Sequence, residues 1–290
     1  MNIMMAIIGA VAFLVFAPLI GGLLMGCDRV FTARMQSRVG PPILQPFYDV
    51  VKLWHKEKAF SSPVETIFTT AYLVLVAFSG AMLATGGNIL LVVFSLTLAH
   101  TFLILAAYSA NAPFSHIGAE RELISVMIME PALILYAAGI FMVTGSFMLI
   151  DVFRMGVPVI VYIPGILLMM FSILLLRLRK SPFDISTSEH AHQELVKGVT
   201  SSLSGKNLAK VEVAHWYEAM ILIALMILLF SQVYIAAVLM LLVVFFLVLI
   251  IDNVFPRVTW QTTVKRIWIT TLILGVVNIV ILGIFEGVLL

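Results

Sequence analysis

The sequence predicts an all-α integral membrane protein of about eight transmembrane helices, with long cytoplasmic loops and a short amphipathic helix. Three observations carry this. Of 290 residues, 62% are hydrophobic and 11% charged, against about 25% charged in soluble proteins. Mean hydropathy is +1.14, and the apolar runs reach the ~20 residues a helix needs to cross a bilayer. Finally, Lys and Arg are distributed very unevenly between alternate loops. The chain reads as a single membrane domain, residues 1–290, with docking loops at 26–63 and 177–212 within it.

The first span, 3–25, has no basic residue before it and exceeds the apolar core of a secretory signal, so it is expected to be retained. After it comes CDRVFTARMQSRVGPPILQPFYDVVKLWHKE, in which Arg29, Arg34 and Arg38 follow the span closely. Such charges hold a helix in place and meet anionic lipid, or they face a partner. The prolines of Gly40-Pro41-Pro42 force a turn. In QPFYDVVKLW, Phe47, Val50, Val51 and Trp54 then share one face of a short amphipathic helix, lying along the membrane or against a partner.

Spans two and three, 64–84 and 88–109, are joined by a loop too short for more than a turn. Span four, 125–145, holds Glu130 beside Pro131 inside an apolar run. A carboxylate near the bilayer centre costs roughly 2.5–3.5 kcal/mol and generally serves an ion path; a neutral Glu hydrogen-bonded between helices is the alternative. Span five, 157–176, runs into KSPFDISTSEHAHQELVKG, which gathers Asp184, Glu189, His190, His192 and Glu194. Imidazoles titrate near pH 6.5, so this segment suits the junction of an ion path, while solvated loop histidines remain the plainer reading. The His-x-His pair has no third ligand for a metal.

The run Tyr217–Ile251 is too long for one helix and breaks at Ser231-Gln232 into spans 213–231 and 233–251. Glu212 and Glu218 are expected at the start of the first of these, where the helix dipole alone favours them. The last span is 267–286. With eight spans, every Lys and Arg except Arg154 falls in loops on one side. The positive-inside rule makes that side cytoplasmic and places both termini outside; seven spans would break the pattern. Cys27 is the lone cysteine, which cannot hold an iron–sulfur cluster, so a redox metal belongs to another chain. No nucleophile–base pair or phosphate-binding loop stands out, and the chain is not expected to be a catalyst alone.

Several stretches resemble the membrane subunit of NADH:quinone oxidoreductase (complex I) that frames the quinone tunnel, and its relatives in membrane-bound [NiFe]-hydrogenases. The likeness runs through Arg29, Gln36, Arg38, Gly40 and Pro41, then Leu44, Gln45, Pro46, Phe47, Asp49, Lys52 and Leu53. Arg121 with Glu130 nine residues on, the Pro182-Phe183-Asp184 loop and VFPRVTW at 254–260 follow in family order. There are also departures. The complex I insertion after the Gly-Pro turn is missing, Thr187 and Ala191 stand where Glu is expected, and Ser201-Ser202-Leu203-Ser204 replaces a Glu-Tyr-Ser segment. They weigh against a quinone site and toward the compact energy-converting (Ech-type) hydrogenase branch.

The resemblance implies a ferredoxin-linked membrane-arm subunit coupling redox chemistry to H⁺ or Na⁺ movement. Its implied partners are the [NiFe]-hydrogenase large and small subunits, an iron–sulfur subunit, an antiporter-like membrane subunit and the lipid bilayer. Ferredoxin acts indirectly, and no nucleic acid is involved. The [NiFe] centre and [4Fe-4S] clusters are expected in the partners, with no cofactor or metal in this chain. The ion path would use Arg121, Glu130, Asp184, Glu189, His190, His192, Glu194, Glu212 and Glu218. Docking would use Arg29, Arg34, Gln36, Arg38, Gln45, Asp49 and Lys52. Alternatives are a complex I-like quinone-site subunit, a structural anchor, and a stand-alone channel or transporter.

Overall fold

The computed structural model describes residues 3–57, 62–110, 112–183 and 197–289. Among these, seven helices are long and apolar enough to cross a membrane. An eighth apolar helix is shorter, so the eight expected spans appear as seven full-length helices and one abbreviated one.

Helix α1, Ile3–Met35, has 33 residues, about 50 Å of axis, well beyond a ~30 Å hydrocarbon core. Arg29 and Arg34 therefore extend a helix rather than begin a loop. It ends where Ser37 takes a left-handed φ of 57°. The Ser37 and Arg38 N–H groups then donate to Arg34 and Ala33 carbonyls at 3.0 and 2.9 Å, closing the end by the Schellman pattern. The expected amphipathic helix is α2, Gln45–His55. Phe47 packs edge-on against Trp216, centroids 5.2 Å apart. It also fills the space over Gly22, where a Cβ would come within 2.6 Å of the ring. The expected apolar face divides: Phe47 packs inward, but Val51 and Trp54 are exposed.

Helix α3, Pro63–Ala84, is capped by Ser62, whose hydroxyl accepts from Glu65 N–H. Helix α4, Ile89–Tyr108, is capped by the Asn88 side chain. The turn between them needs Gly86, at φ +69°. Helix α5 spans Pro113–Thr144, starting well before the expected 125. Glu120, Arg121 and Glu122 made its first turns look like loop, but pairing with a cation from another helix lets Glu122 lie buried there. After the four-residue α6, Leu149–Val152, prolines 158 and 164 delay the fifth expected span, leaving the 14-residue α7, Pro164–Arg177.

Helix α8, Gly205–Leu228, begins inside the stretch expected to be loop. Helix α9 is Tyr234–Val254. The last span comprises α10, Trp260–Thr270, a π-helical segment Thr271–Val276, and α11, Val277–Leu289.

The core lies among α3, α4, α5, α7 and α8, where Tyr72, Leu96, Leu103, Met129, Leu133, Tyr136 and Met169 are fully buried. By contrast α1 and α9 show long exposed apolar faces, as lipid- or partner-facing helices must. A charged tether joins them to the chain beyond α7. Lys180 Nζ donates to Asp28 at 2.5 Å and Asp252 at 3.0 Å, and Ser181 N–H bonds Asp252 at 2.9 Å. Burial works against the Lys180 charge, but the Asp28 and Asp252 carboxylates outweigh it and hold its pKa above the usual lysine range.

Candidate functional site: a buried carboxylate–guanidinium network

Five helices each place a polar side chain at one point in the core. Along α8, Val211, Ala214, Glu218, Ile221, Leu222 and Leu225 are buried together, so the inward face carries a carboxylate at 2% exposure. Tyr72 of α3 and His100 of α4 are fully buried. Arg177 is the last residue of α7, and α5 contributes Glu122 and Ser125.

Glu218 is the hub. Its Oε1 accepts from Arg177 Nε and lies 3.0 Å from His100 Nε2; its Oε2 accepts from Tyr72 hydroxyl at 3.4 Å. Arg177 Nη1 also donates to Glu122 Oε1 at 2.8 Å and Ser125 Oγ at 3.3 Å. The guanidinium thus bridges two carboxylates, the planar multi-donor geometry that arginine provides and lysine does not.

Hydrogen-bond chemistry places a proton here. His100 Nδ1 lies 2.8 Å from the Leu96 carbonyl; a carbonyl only accepts, so Nδ1 carries hydrogen. His100 Nε2 faces a carboxylate, so a second proton must lie between Nε2 and Glu218 Oε1. The charges then balance, two carboxylates against one guanidinium and that shared proton. A neighbouring pair is set the opposite way. Arg179 Nη2 is 2.8 Å from His215 Nε2, and arginine only donates, so His215 is neutral with its hydrogen on Nδ1. Arg179 holds this position with a left-handed φ of 55°, a conformation costing roughly 1–2 kcal/mol for a residue with a Cβ. Strain of this kind persists where surrounding contacts enforce it.

Of the expected ion-path residues, Glu218 enters the network. It lies well inside α8 rather than at a helix start, so the dipole does not account for it. Glu212 is half-buried nearer the start of α8, and Arg121 is half-buried on α5. Glu130 is half-buried two helical turns beyond Glu122, beside the exposed Met127 and Ile134. Asp184, Glu189, His190, His192 and Glu194 lie outside the described residues.

The expected docking residues stand together. Arg29 and Gln45 both bond Asp49, at 2.9 and 2.8 Å, and Gln36 links Arg38 to Asn253 at 2.8 and 3.0 Å. Arg34 and Lys52 are exposed.

The sequence did not single out His100, Glu122, Tyr72 or His215, and in it Arg177 and Arg179 read as loop charges. The signal for His100 was a lone imidazole inside LTLAHTFLIL, since ionisable groups within membrane helices mark function.

The family model described as NADH dehydrogenase matches residues 8–283. Hydrogenase-4 component C of Escherichia coli (strain K12) is 27% identical over 79% of this chain and 75% of its own length. Formate hydrogenlyase subunit 4 of the same strain is 25% identical over 71% and 70%. An NADH-quinone oxidoreductase subunit of Carboxydothermus hydrogenoformans is 28% identical over 75% and 67%. A chain in the solved structure of the membrane-bound sulfane sulfur reductase, an archaeal respiratory membrane complex, shares the fold. Its TM-score is 0.76 at 23% identity, covering 96% of this chain and 99% of that one.

Proposed function

The chain belongs to the NADH dehydrogenase family, and from that premise we propose that it is the membrane-arm subunit of a ferredoxin-linked energy-converting [NiFe]-hydrogenase. It anchors the hydrophilic module, with its [NiFe] centre and [4Fe-4S] clusters, on the basic side of the cell membrane. It couples H₂ and ferredoxin chemistry to H⁺ or Na⁺ translocation. The relatives named as hydrogenase-4 and formate hydrogenlyase components support this branch, as do the sequence departures from the quinone-site pattern.

The observation that carries the reading is the contact of His100 Nε2 with Glu218 Oε1, 3.0 Å apart, beside Arg177. Arg177 closes α7 at the root of the 177–212 segment, where the hydrophilic module docks. Drawing that segment outward pulls the guanidinium from Glu218, and breaking a buried pair costs about 3–5 kcal/mol. The shared proton then passes from His100 Nε2 to Glu218 Oε1, which neutralises the carboxylate and relieves that cost. The return of Arg177 restores the carboxylate and sends the proton back to His100 Nε2 on the α4 side. Glu130 stands on the face of α5 that bears exposed Met127, Ile134 and Phe141, and the antiporter-like subunit covers that face and continues the path.

The test is the redox partner. Vesicles holding the assembled complex and supplied with reduced ferredoxin evolve H₂ and take up ions. If they reduce quinone and evolve no H₂, the quinone-site reading replaces this one; H₂ evolution with no ion uptake leaves the chain a structural anchor.

A further inference from the structure

Exchange between His100 and Glu218 only moves one proton back and forth, so net transport needs a supply. Glu218 Oε1 is occupied by Arg177 and His100, and the other His100 nitrogen by the Leu96 carbonyl. A further proton therefore reaches the pair through Glu218 Oε2, which accepts from Tyr72. Tyr72 belongs to α3, whose buried face carries Glu65, Thr69, Tyr72 and Val76 at helical spacing. The first of these is another carboxylate, only 2% exposed.

Glu65 sits at the basic end of the molecule. It meets Asn207, in the first turn of α8, whose Nδ2 donates to Glu65 Oε1 at 2.9 Å and to Thr66 Oγ1 at 3.2 Å. Beside them Lys206 is exposed, and Lys210 Nζ donates to Thr70 Oγ1 at 2.6 Å. Both Asn207 N–H hydrogens are thus engaged, and its Oδ1 is enclosed without a protein partner. Buried polar oxygens are met by protein or by ordered water, so a water belongs here, next to the carboxylate.

We propose that Glu65 is the proton entrance of the Glu218 network, filled from the basic side and discharged through water and the Tyr72 hydroxyl. The inference rests on the coupling role given to Glu218. From Glu65 to Tyr72 is about 10 Å of helix axis, a gap that the two side chains and a short water bridge span. The Glu65 carboxyl gives its hydrogen to that bridge and is left as a carboxylate. The Tyr72 hydroxyl receives a hydrogen from the bridge as it gives its own to Glu218 Oε2. Tyr72 ends as it began, Glu218 is neutral, and Glu65 recovers a proton from the aqueous phase. Thr69 lies between them, but its hydroxyl donates to the Glu65 and Thr66 carbonyls at 2.9 and 3.2 Å, so it lines the route without carrying the proton.

The test measures proton uptake per H₂ evolved, with a pH-sensitive dye, in vesicles holding the assembled complex and driven by reduced ferredoxin. Glu65→Gln, which keeps an oxygen for Asn207, lowers that ratio about tenfold or more, whereas Glu65→Asp retains most of it. Tyr72→Phe lowers it as far, and Glu65→Gln combined with Tyr72→Phe falls no further than either alone, as two residues on one path require. A normal ratio in Glu65→Gln beside a collapsed one in Glu218→Gln overturns the entrance and leaves the role of Glu218 standing. Normal ratios in both overturn the coupling role and the entrance with it. A loss that Glu65→Asp fully shares, or failure of Glu65→Gln to co-purify with the hydrophilic subunits, makes Glu65 a structural link between α3 and α8 and equally overturns the proposal.

Discussion

Arg177→Met tests the network at its cation. The guanidinium donates to Glu218 and Glu122, and the side chains of the three residues are only 4%, 2% and 1% exposed. Methionine keeps much of the length and leaves two buried carboxylates without their cation. Removing one partner of a buried pair costs about 3–5 kcal/mol. Both pairs share the same cation, so the two losses do not add, and protonation of either carboxylate limits the total. The expected loss is therefore about 3–5 kcal/mol in unfolding free energy, measured by SDS titration in mixed micelles. A triple variant that also carries Glu122→Gln and Glu218→Gln removes the buried charge altogether and recovers most of that loss, because neutral replacement of a buried ionic group is often near neutral in stability. Arg177→Met with wild-type stability would refute the network, and so would a triple variant no more stable than the single one.

Other substitutions separate the parts. His100→Gln keeps a donor toward Glu218 but cannot relay a proton, so ion uptake by vesicles collapses while unfolding free energy changes by no more than about 1 kcal/mol. Glu130→Gln leaves H₂ evolution running and abolishes ion uptake in a complex that still co-purifies with its hydrophilic subunits; normal values for both make Glu130 structural. Arg179→Gly relieves a left-handed backbone worth roughly 1–2 kcal/mol and loses a hydrogen bond worth about 1 kcal/mol, so its stability stays near wild type, whereas Arg179→Ala, which gains no relief, is less stable. Lys180→Met loses the tether to Asp28 and Asp252. Because the pKa of Lys180 is raised, its contribution is fully present below the ordinary lysine value of about 10.4 and fades only above it. The stability gap between wild type and Lys180→Met is therefore flat from neutral pH to about 9.

Hydrophobic run length fixed the membrane class, and charge asymmetry correctly divided Tyr217–Ile251 into two helices. The amphipathic α2 was legible because its period is local. Boundaries failed where charge lies on a helix. Glu120–Arg121–Glu122 and Arg177 read as loop because their compensation comes from other helices, and no local pattern records a contact between residues 55 positions apart. For the same reason the site was only partly legible. Glu218 drew notice only as a carboxylate expected at the start of a span, but His100 makes its bond to it across 118 positions, and only tertiary packing brings those residues together. Pro164 delayed α7 by a rule visible in the sequence, one that run length had masked.

The proposed role of the proton held between His100 and Glu218 is to couple redox chemistry to ion movement. Its most direct measurement is the ratio of ions taken up to H₂ evolved, in vesicles driven by reduced ferredoxin, for wild type and Glu218→Gln in the assembled complex. The variant is expected to evolve H₂ still while its ratio falls to background. An unchanged ratio in Glu218→Gln would contradict it.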